Sequence, residues 1–148
     1  MNDHSLDTPT GERALRHHAP ADARRHALHD PAETDRLAGL LADGLGPYAP
    51  TAVATWNFQD EALACLVAIR LGVPGIYAFD DAGVASALGT LTPGDRVAAI
   101  AAAADGTVNV AAISAIARHA RAELVAFGVI EDAGPHRESS VPVVTALR

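Results

Sequence analysis

The spacing of apolar residues predicts two kinds of element along the chain. Leucines at helical spacing form one stripe, and an amphipathic helix is the structure that such spacing indicates. Asp30 and Pro31 are suited to begin this helix, Glu33 completes a pattern like a capping box, and Gly46 and Pro47 end it. We expect the stripe to cover either a sheet of its own domain or a dimer partner; its members are Leu37, Leu40, Leu41 and Leu45.

Short apolar runs bounded by turn residues predict strands. They cover residues 51–55, 76–79, 96–101, 123–130 and 141–147, and a small flap strand is expected at 84–88. Helices are expected at 62–71 and at 107–121, the latter with Val108, Ala111, Ala112, Ile113 and Ile116 inward. Because strands and helices alternate, we predict an α/β, Rossmann-like fold with a mainly parallel sheet flanked by helices.

The chain of 148 residues suggests one domain. Residues 1–29 are polar and rich in Arg, His and Asp, and we interpret them as a flexible N-terminal arm that precedes a single domain over 30–148. The predicted helix over 62–71 is apolar almost all round, so it should be buried. Its Cys65 is the single cysteine of the chain, and we expect it to be a small core residue.

Composition narrows the classes of function. The formal net charge of −7 disfavours nucleic-acid binding. All 11 basic residues are Arg, so a Schiff base, a P-loop lysine and a lysine general base are excluded. The chain has no apolar run long enough for a membrane span and no signal-peptide core, so we expect a cytoplasmic protein without membrane contact.

Four local patterns follow one another in a familiar order. They are Leu71-Gly72-Val73-Pro74, Thr92-Pro93-Gly94-Asp95-Arg96-Val97, the strand from Glu123 to Val129, and Val141-Pro142-Val143-Val144-Thr145-Ala146-Leu147. Their order and spacing resemble the type I phosphoribosyltransferases, most closely the orotate phosphoribosyltransferase-like branch, over roughly residues 33–148. The resemblance implies a phosphoribosyltransferase-like α/β fold, and a dimer, because family members are commonly dimers.

The chemistry of that family depends on residues that this chain replaces. In the family, the signature strand ends in two acidic residues that engage ribose hydroxyls, and a Thr-Thr-Gly loop cradles the 5′-phosphate of phosphoribosyl pyrophosphate (PRPP). Here Ala101 and Ala102 stand at the acidic positions, and the loop reads Asp105-Gly106-Thr107-Val108-Asn109. A carboxylate at Asp105 would repel a phosphate. The resemblance therefore implies the fold without PRPP binding.

Two further segments that correspond to the family's site are also acidic in this chain. The family's pyrophosphate and metal loop corresponds to residues 56–61 here, which are bulky and acidic. The place of an Arg-Lys pair in this branch is held by Asp80-Asp81. Arg96 enters its strand from the opposite end, so it should not neutralise these acids. We therefore predict an acidic crevice that favours a cation, an amine or a divalent metal.

The candidate crevice residues come from three loops of the predicted sheet. They are Trp56, Asn57, Gln59, Asp60, Glu61, Asp80, Asp81, Asp105, Gly106, Thr107 and Asn109. Asp80, Asp81 and Asp105 are the catalytic candidates, since paired carboxylates can act as acid and base. The candidate metal ligands are Asp60, Glu61, Asp80 and Asp81. Alternatively, the negative charges of Asp60 and Glu61 stabilise the N-terminus of the helix that follows them. Trp56 either stacks on a planar ligand or fills the place of an absent substrate.

Three functions remain open. The first is a phosphoribosyltransferase-like protein without catalysis, serving as a binding or regulatory subunit in a homodimer or beside a related partner. The second is an enzyme that uses the acidic crevice for other chemistry on a cationic or metal-bound small molecule. The third is an atypical active phosphoribosyltransferase, for which fold analogy is the sole support.

Overall fold

The computed structural model describes residues 28–56, 60–104, 109–131 and 141–147. Helix α1 spans Pro31–Leu45 and is followed by a 3₁₀ turn at Gly46–Tyr48; α2 spans Glu61–Leu71 and α3 spans Val110–His119. The strands are β1 (Ala52–Trp56), β2 (Gly75–Asp81), β3 (Val84–Leu88), β4 (Arg96–Ala103), β5 (Glu123–Glu131) and β6 (Val143–Thr145). They form one sheet in the order β3-β2-β1-β4-β5-β6.

Most neighbours in this sheet run parallel. β1 pairs with β2 and β4, β4 pairs with β5, and β5 pairs with β6, all in parallel. The exception is the β2–β3 pair, which is an antiparallel hairpin at one edge. The predicted α/β fold with a mainly parallel sheet is confirmed, as are the small flap strand and the strand at the opposite edge, although the latter covers only Val143–Thr145.

Helix α1 forms where its sequence predicts. Glu33, which was expected to complete a capping box, instead accepts hydrogen bonds from the Arg36 guanidinium at 2.6 and 2.9 Å. The Asp30 carboxylate accepts a hydrogen bond from the Ala32 N–H at 3.0 Å, and Pro31 occupies the first turn. Leu37, Leu41 and Leu45 are almost fully buried, whereas Leu40 is 38% exposed. The buried part of the stripe packs in the core cluster with residues of β1, β4 and β5, so its own sheet accounts for that burial.

The two faces of the sheet are covered by different helices. Alternate residues of the central strands, such as Val53 and Ile100, pack with α1 and α2. Their neighbours, such as Ala54 and Ala99, pack with α3 on the other face. This alternation follows from the pleat of a strand, which directs successive side chains to opposite sides.

Two of the sequence patterns shape the amino-terminal edge of the sheet. Gly72 adopts a left-handed conformation (φ 68°) and ends α2, with its N–H directed to the carbonyls of Ala68 and Ile69. The Asp95 carboxylate accepts hydrogen bonds from the Thr92 N–H at 2.7 Å and from the Thr51 hydroxyl at 2.8 Å. Both patterns therefore position strands, at the edge opposite the predicted crevice.

Loss of the Asp95 charge is expected to destabilise the fold at acid pH. Hydrogen bonds from the Thr92 backbone and the Thr51 hydroxyl lower the pKa of Asp95. A lowered pKa contributes stability above the unfolded value, and this contribution is lost as pH falls through the lower folded pKa. The wild-type midpoint of urea unfolding should therefore fall below about pH 4, and Asp95→Asn should weaken that dependence. Asp43→Asn is the control, and equal pH profiles for all three proteins would contradict the assignment.

Several predicted details are wrong. Helix α3 begins at Val110 and not at residue 107, and it buries Ile113 and Ala117 while Ala111 is exposed. Helix α2 is not buried all round: Ile69 is 67% exposed, and Cys65 is exposed and not a core residue. The cause is the same for both residues, because they lie on a side of α2 that no described element covers.

No helix within the described ranges is long and apolar enough to cross a membrane. The N-terminal arm predicted for 1–29 lies outside the described residues except at its last two positions, and residues 132–140 lie outside them too. Arg96 lies at the amino-terminal end of β4, as expected. There its guanidinium donates to the Tyr48 carbonyl at 2.8 and 3.1 Å.

Candidate functional site

The carboxyl ends of the parallel strands meet at one edge of the sheet, where ligands bind in open α/β folds. β1 ends at Trp56, beside Ala78 of β2, and β4 ends at Ala103, beside Glu131 of β5. This edge is where the acidic crevice is predicted. The residues that approach it are therefore considered strand by strand.

Trp56 belongs to strand β1 and not to the loop that the sequence predicts there. It is 7% exposed and packs in the core cluster on the α3 face of the sheet. A side chain in this position fills space between the sheet and α3. The observed burial favours the space-filling interpretation over stacking on a ligand.

The two acids before α2 have different surroundings. Asp60 is buried, at 4% exposure, and although it stands at the N-cap position its side chain makes no capping hydrogen bond. Glu61 is exposed in the first turn of α2, where the positive end of the helix dipole favours a carboxylate. Only Glu61 borders the cavity described below.

Asp80 and Asp81 lie at the end of strand β2, so the predicted loop at these positions is wrong. They lead into a hairpin in which Ala82 (φ 52°) and Gly83 (φ 86°) both have positive φ, as in a type I′ turn. The Asp80 Oδ1 accepts a hydrogen bond from the Gly83 N–H at 2.9 Å. Since neighbouring residues of a strand face opposite sides of the sheet, the two carboxylates do not form a facing pair.

The remaining candidates are mostly outside the described residues: Asn57, Gln59, Asp105, Gly106 and Thr107. Asn109 is described, and its side chain caps α3 by accepting from the Ala112 N–H at 2.8 Å. Among residues 28–56, 60–104, 109–131 and 141–147, no three His, Cys, Asp or Glu side chains are grouped to hold a metal ion. The metal role of Asp60, Glu61, Asp80 and Asp81 stays a prediction.

Strand β4 carries the two alanines that the sequence prediction places at the family's acidic positions. Ala101 and Ala102 are both fully buried, one on each face of the sheet. Their methyl groups offer no hydrogen-bond acceptor. The strand continues to Ala103, whose neighbour across the sheet is Glu131, one residue beyond the strand predicted for 123–130.

A cavity of about 890 Å³ lies beside the predicted crevice. We call it the α2–β2 groove, and its wall on α2 consists of Glu61, Ala64, Cys65, Ala68 and Ile69. Its floor includes Val53 and Thr55 of β1 with Gly75, Tyr77 and Phe79 of β2. Asp80, Leu88 and Gly89 border it toward the sheet edge. Cys65, Tyr77 and Phe79 are therefore site candidates that the sequence prediction missed.

The residues of the α2 wall have a regular spacing in the sequence, but the spacing is hard to recognise because almost all of α2 is apolar. Its members follow the i, i+3, i+4, i+7, i+8 spacing, which places them on one stripe of a helix. Leu63 and Val67, on the neighbouring stripe, are fully buried. Because both stripes are apolar, the sequence alone does not show which stripe the sheet covers.

Comparison with known proteins identifies the fold. No family model and no curated protein sequence matches the chain. Among solved structures, adenine phosphoribosyltransferase from Thermoanaerobacter pseudethanolicus is similar with a TM-score of 0.69 and 12% identity, over 80% of this chain and 82% of that one. Orotate phosphoribosyltransferase from Aeropyrum pernix is similar with a TM-score of 0.69 and 19% identity, over 83% and 75%.

Leishmania donovani UMP synthase is also similar, with a TM-score of 0.67 and 23% identity, over 83% of this chain but 28% of that longer chain. The chain therefore has the fold of the type I phosphoribosyltransferases, as its sequence patterns predict. At these identities the likeness concerns the fold alone, and the activity has to be argued from the residues of this chain.

Proposed function

We propose that this protein is a phosphoribosyltransferase-fold protein without PRPP transferase activity, serving as a binding or regulatory subunit in a homodimer or beside a related partner. One observation carries the proposal: Ala101 and Ala102, fully buried in β4, stand where the resembling family has its acidic pair. Without carboxylates at these positions, nothing there accepts hydrogen bonds from ribose hydroxyls.

Two further features support the loss of PRPP binding. Asp105 places a carboxylate in the loop that corresponds to the family's phosphate loop, and the chain has no lysine to offset it. At the place of the family's Arg-Lys pair, Asp80 instead accepts from the Gly83 N–H within a hairpin. These differences all remove positive or hydrogen-bonding partners of a polyphosphate.

Pyrophosphate release from PRPP is the direct test. The purified protein, given PRPP and Mg²⁺ with adenine or orotate, is expected to release pyrophosphate no faster than a blank without protein. An active adenine phosphoribosyltransferase serves as the positive control for the assay. Release that increases in proportion to the protein added would overturn the proposal and favour an atypical active enzyme.

Thermal unfolding in the presence of PRPP gives an independent readout. A ligand that binds the native state at 100 times its Kd stabilises it by about 2.7 kcal/mol. PRPP should therefore leave the melting temperature unchanged, and a concentration-dependent rise would contradict the loss of the PRPP site. In the same titration, a rise with Mg²⁺ or Mn²⁺ that Asp80→Ala and Asp81→Ala abolish would favour the second candidate, an acidic site for a metal-bound small molecule.

A further inference from the structure

We infer that the α2–β2 groove binds a small amphiphilic molecule with an extended apolar body and a cationic, amine-type head. The inference goes beyond the proposed function, since it concerns a face of the sheet and a ligand class unrelated to PRPP. It rests on the dimensions of the groove, on its apolar lining and on the sign of its charge.

The groove is open because small residues line it. Ala64 and Ala68 present only methyl groups from α2, and Gly75 has no side chain on the strand below. A Cβ added at Gly75 would meet no other heavy atom within 4 Å, so the space above this residue is unfilled. The volume of about 890 Å³ lies within the range of pockets that bind small molecules.

The lining favours an apolar ligand body. The rings of Tyr77 and Phe79 stack with their centroids 5.9 Å apart and an interplanar angle of 21°. Ile69, in the opposite wall, leaves 67% of its surface exposed. Covering such surface with an apolar molecule is favourable in proportion to the area removed from water.

The groove is long enough for an extended molecule. It follows β2 from Gly75 to Asp80, and five residues of strand span about 17 Å. Gly75 lies at the amino-terminal end of the strand and Asp80 near its carboxyl-terminal end. The two ends of the groove therefore have different neighbouring residues, so an elongated molecule binds in one preferred orientation.

The charged end of the groove is acidic. Glu61 begins the α2 wall at the carboxyl-terminal edge of the sheet and contributes the carboxylate at that end of the groove. Asp80 lies on the other face of β2 from Tyr77 and Phe79, and its carboxylate accepts from the Gly83 N–H. Among the described residues that line the groove, none is basic. A protonated amine beside Glu61 complements this charge, whereas a carboxylate there would be repelled.

The single cysteine provides a reporter for occupancy without engineering. Cys65 is exposed and lies in the α2 wall, so a ligand in the groove covers its thiol. The probes are decylamine, decanol and decanoate, each below its critical micelle concentration, which share one tail and differ in head charge. The measurement is the rate at which 5,5′-dithiobis(2-nitrobenzoate) modifies Cys65 as each probe is titrated.

Decylamine is expected to protect Cys65 with half-saturation at a concentration about two- to fivefold lower than decanol, and decanoate should protect least. Glu61→Gln should bring decylamine to the level of decanol. Glu123→Gln removes an exposed carboxylate at the opposite edge of the sheet and should change nothing. Gly75→Leu fills the groove, so it should abolish protection by every probe, with circular dichroism confirming that the variant is folded.

Three results would overturn the inference. Equal protection by decylamine and decanoate would show that the charge of the head group does not affect binding. Protection that persists in Gly75→Leu would show that the probe binds outside the groove. Protection that grows with protein concentration in the absence of any probe would identify a second copy of the chain as the occupant. PRPP turnover is measured separately, so failure of this inference and failure of the proposed function are distinguishable.

Discussion

Leu41→Ala is expected to lower the free energy of unfolding by about 2–5 kcal/mol, the range measured for leucines in closed cores. Leu41 is fully buried between α1 and the sheet, and its Cδ2 lies close to Gly128 of β5. Truncation removes apolar contacts and leaves a cavity that the surrounding strands and helix fill only in part. Urea unfolding followed by circular dichroism measures the loss.

Leu40→Ala provides the matched control, one residue away on the same helix. Leu40 is 38% exposed, so the same truncation should cost well under half as much as at Leu41. The pair therefore tests which part of the leucine stripe faces the sheet. Equal losses of unfolding free energy at both positions would contradict the observed orientation of α1. If a dimer buries Leu40, the loss caused by Leu40→Ala should increase with protein concentration.

Gly128→Ala is expected to cost about 1–3 kcal/mol, although alanine usually suits a strand better than glycine does. A Cβ at Gly128 would lie 2.8 Å from the Cδ1 of Ile100 and 3.4 Å from the Cδ1 of Leu45. Ile100 is fully buried, so its side chain has little room to move away. The added methyl group therefore forces the sheet and α1 apart.

Ile100→Val in the same chain removes the atom that the new methyl group would meet. The double variant should be more stable than the sum of the two single losses predicts, by about 1 kcal/mol or more. Gly75→Ala is the control for glycine in a strand of this sheet, since no atom stands within 4 Å of its Cβ position; it should be neutral or stabilising by about 0.4–1 kcal/mol. Strict additivity of Gly128→Ala and Ile100→Val would contradict the close approach.

These effects concern the scaffold, and the scaffold is where the chain keeps the patterns of the resembling family. Gly72 ends α2, and Asp95 connects the turn at Thr92 to Thr51. Gly94 takes a positive φ of 88° in that same turn. Each role is a local backbone requirement, so it persists whatever the opposite edge of the sheet binds. These local requirements explain why the fold is recognisable from the sequence patterns.

The elements themselves were predictable from the sequence because their signals are local. Capping by Asp30, termination at Gly46 and Gly72, and the short apolar runs are each set by a few neighbouring residues. Alternation of strands and helices then implied a parallel sheet. Boundaries were less accurate: Asp80 and Asp81 extend β2 because the hairpin with β3 supplies hydrogen-bond partners that the sequence pattern does not reveal.

The candidate site was predictable only in part, because burial depends on which elements pack together. The sequence placed Glu61 and Asp80 at the carboxyl edge of the sheet, and both border the groove. It did not show that Trp56 packs beneath α3, since an aromatic residue after a strand suits a core and a binding site equally.

Residue types and their spacing along the chain were thus sufficient for the elements and the parallel sheet. The choice between equally apolar surfaces came from packing in three dimensions. Helix α2 turns Leu63 and Val67 toward the core and leaves Cys65 and Ile69 beside the groove. Both stripes of that helix are apolar, so periodicity assigns them equally, and only the position of the sheet distinguishes them.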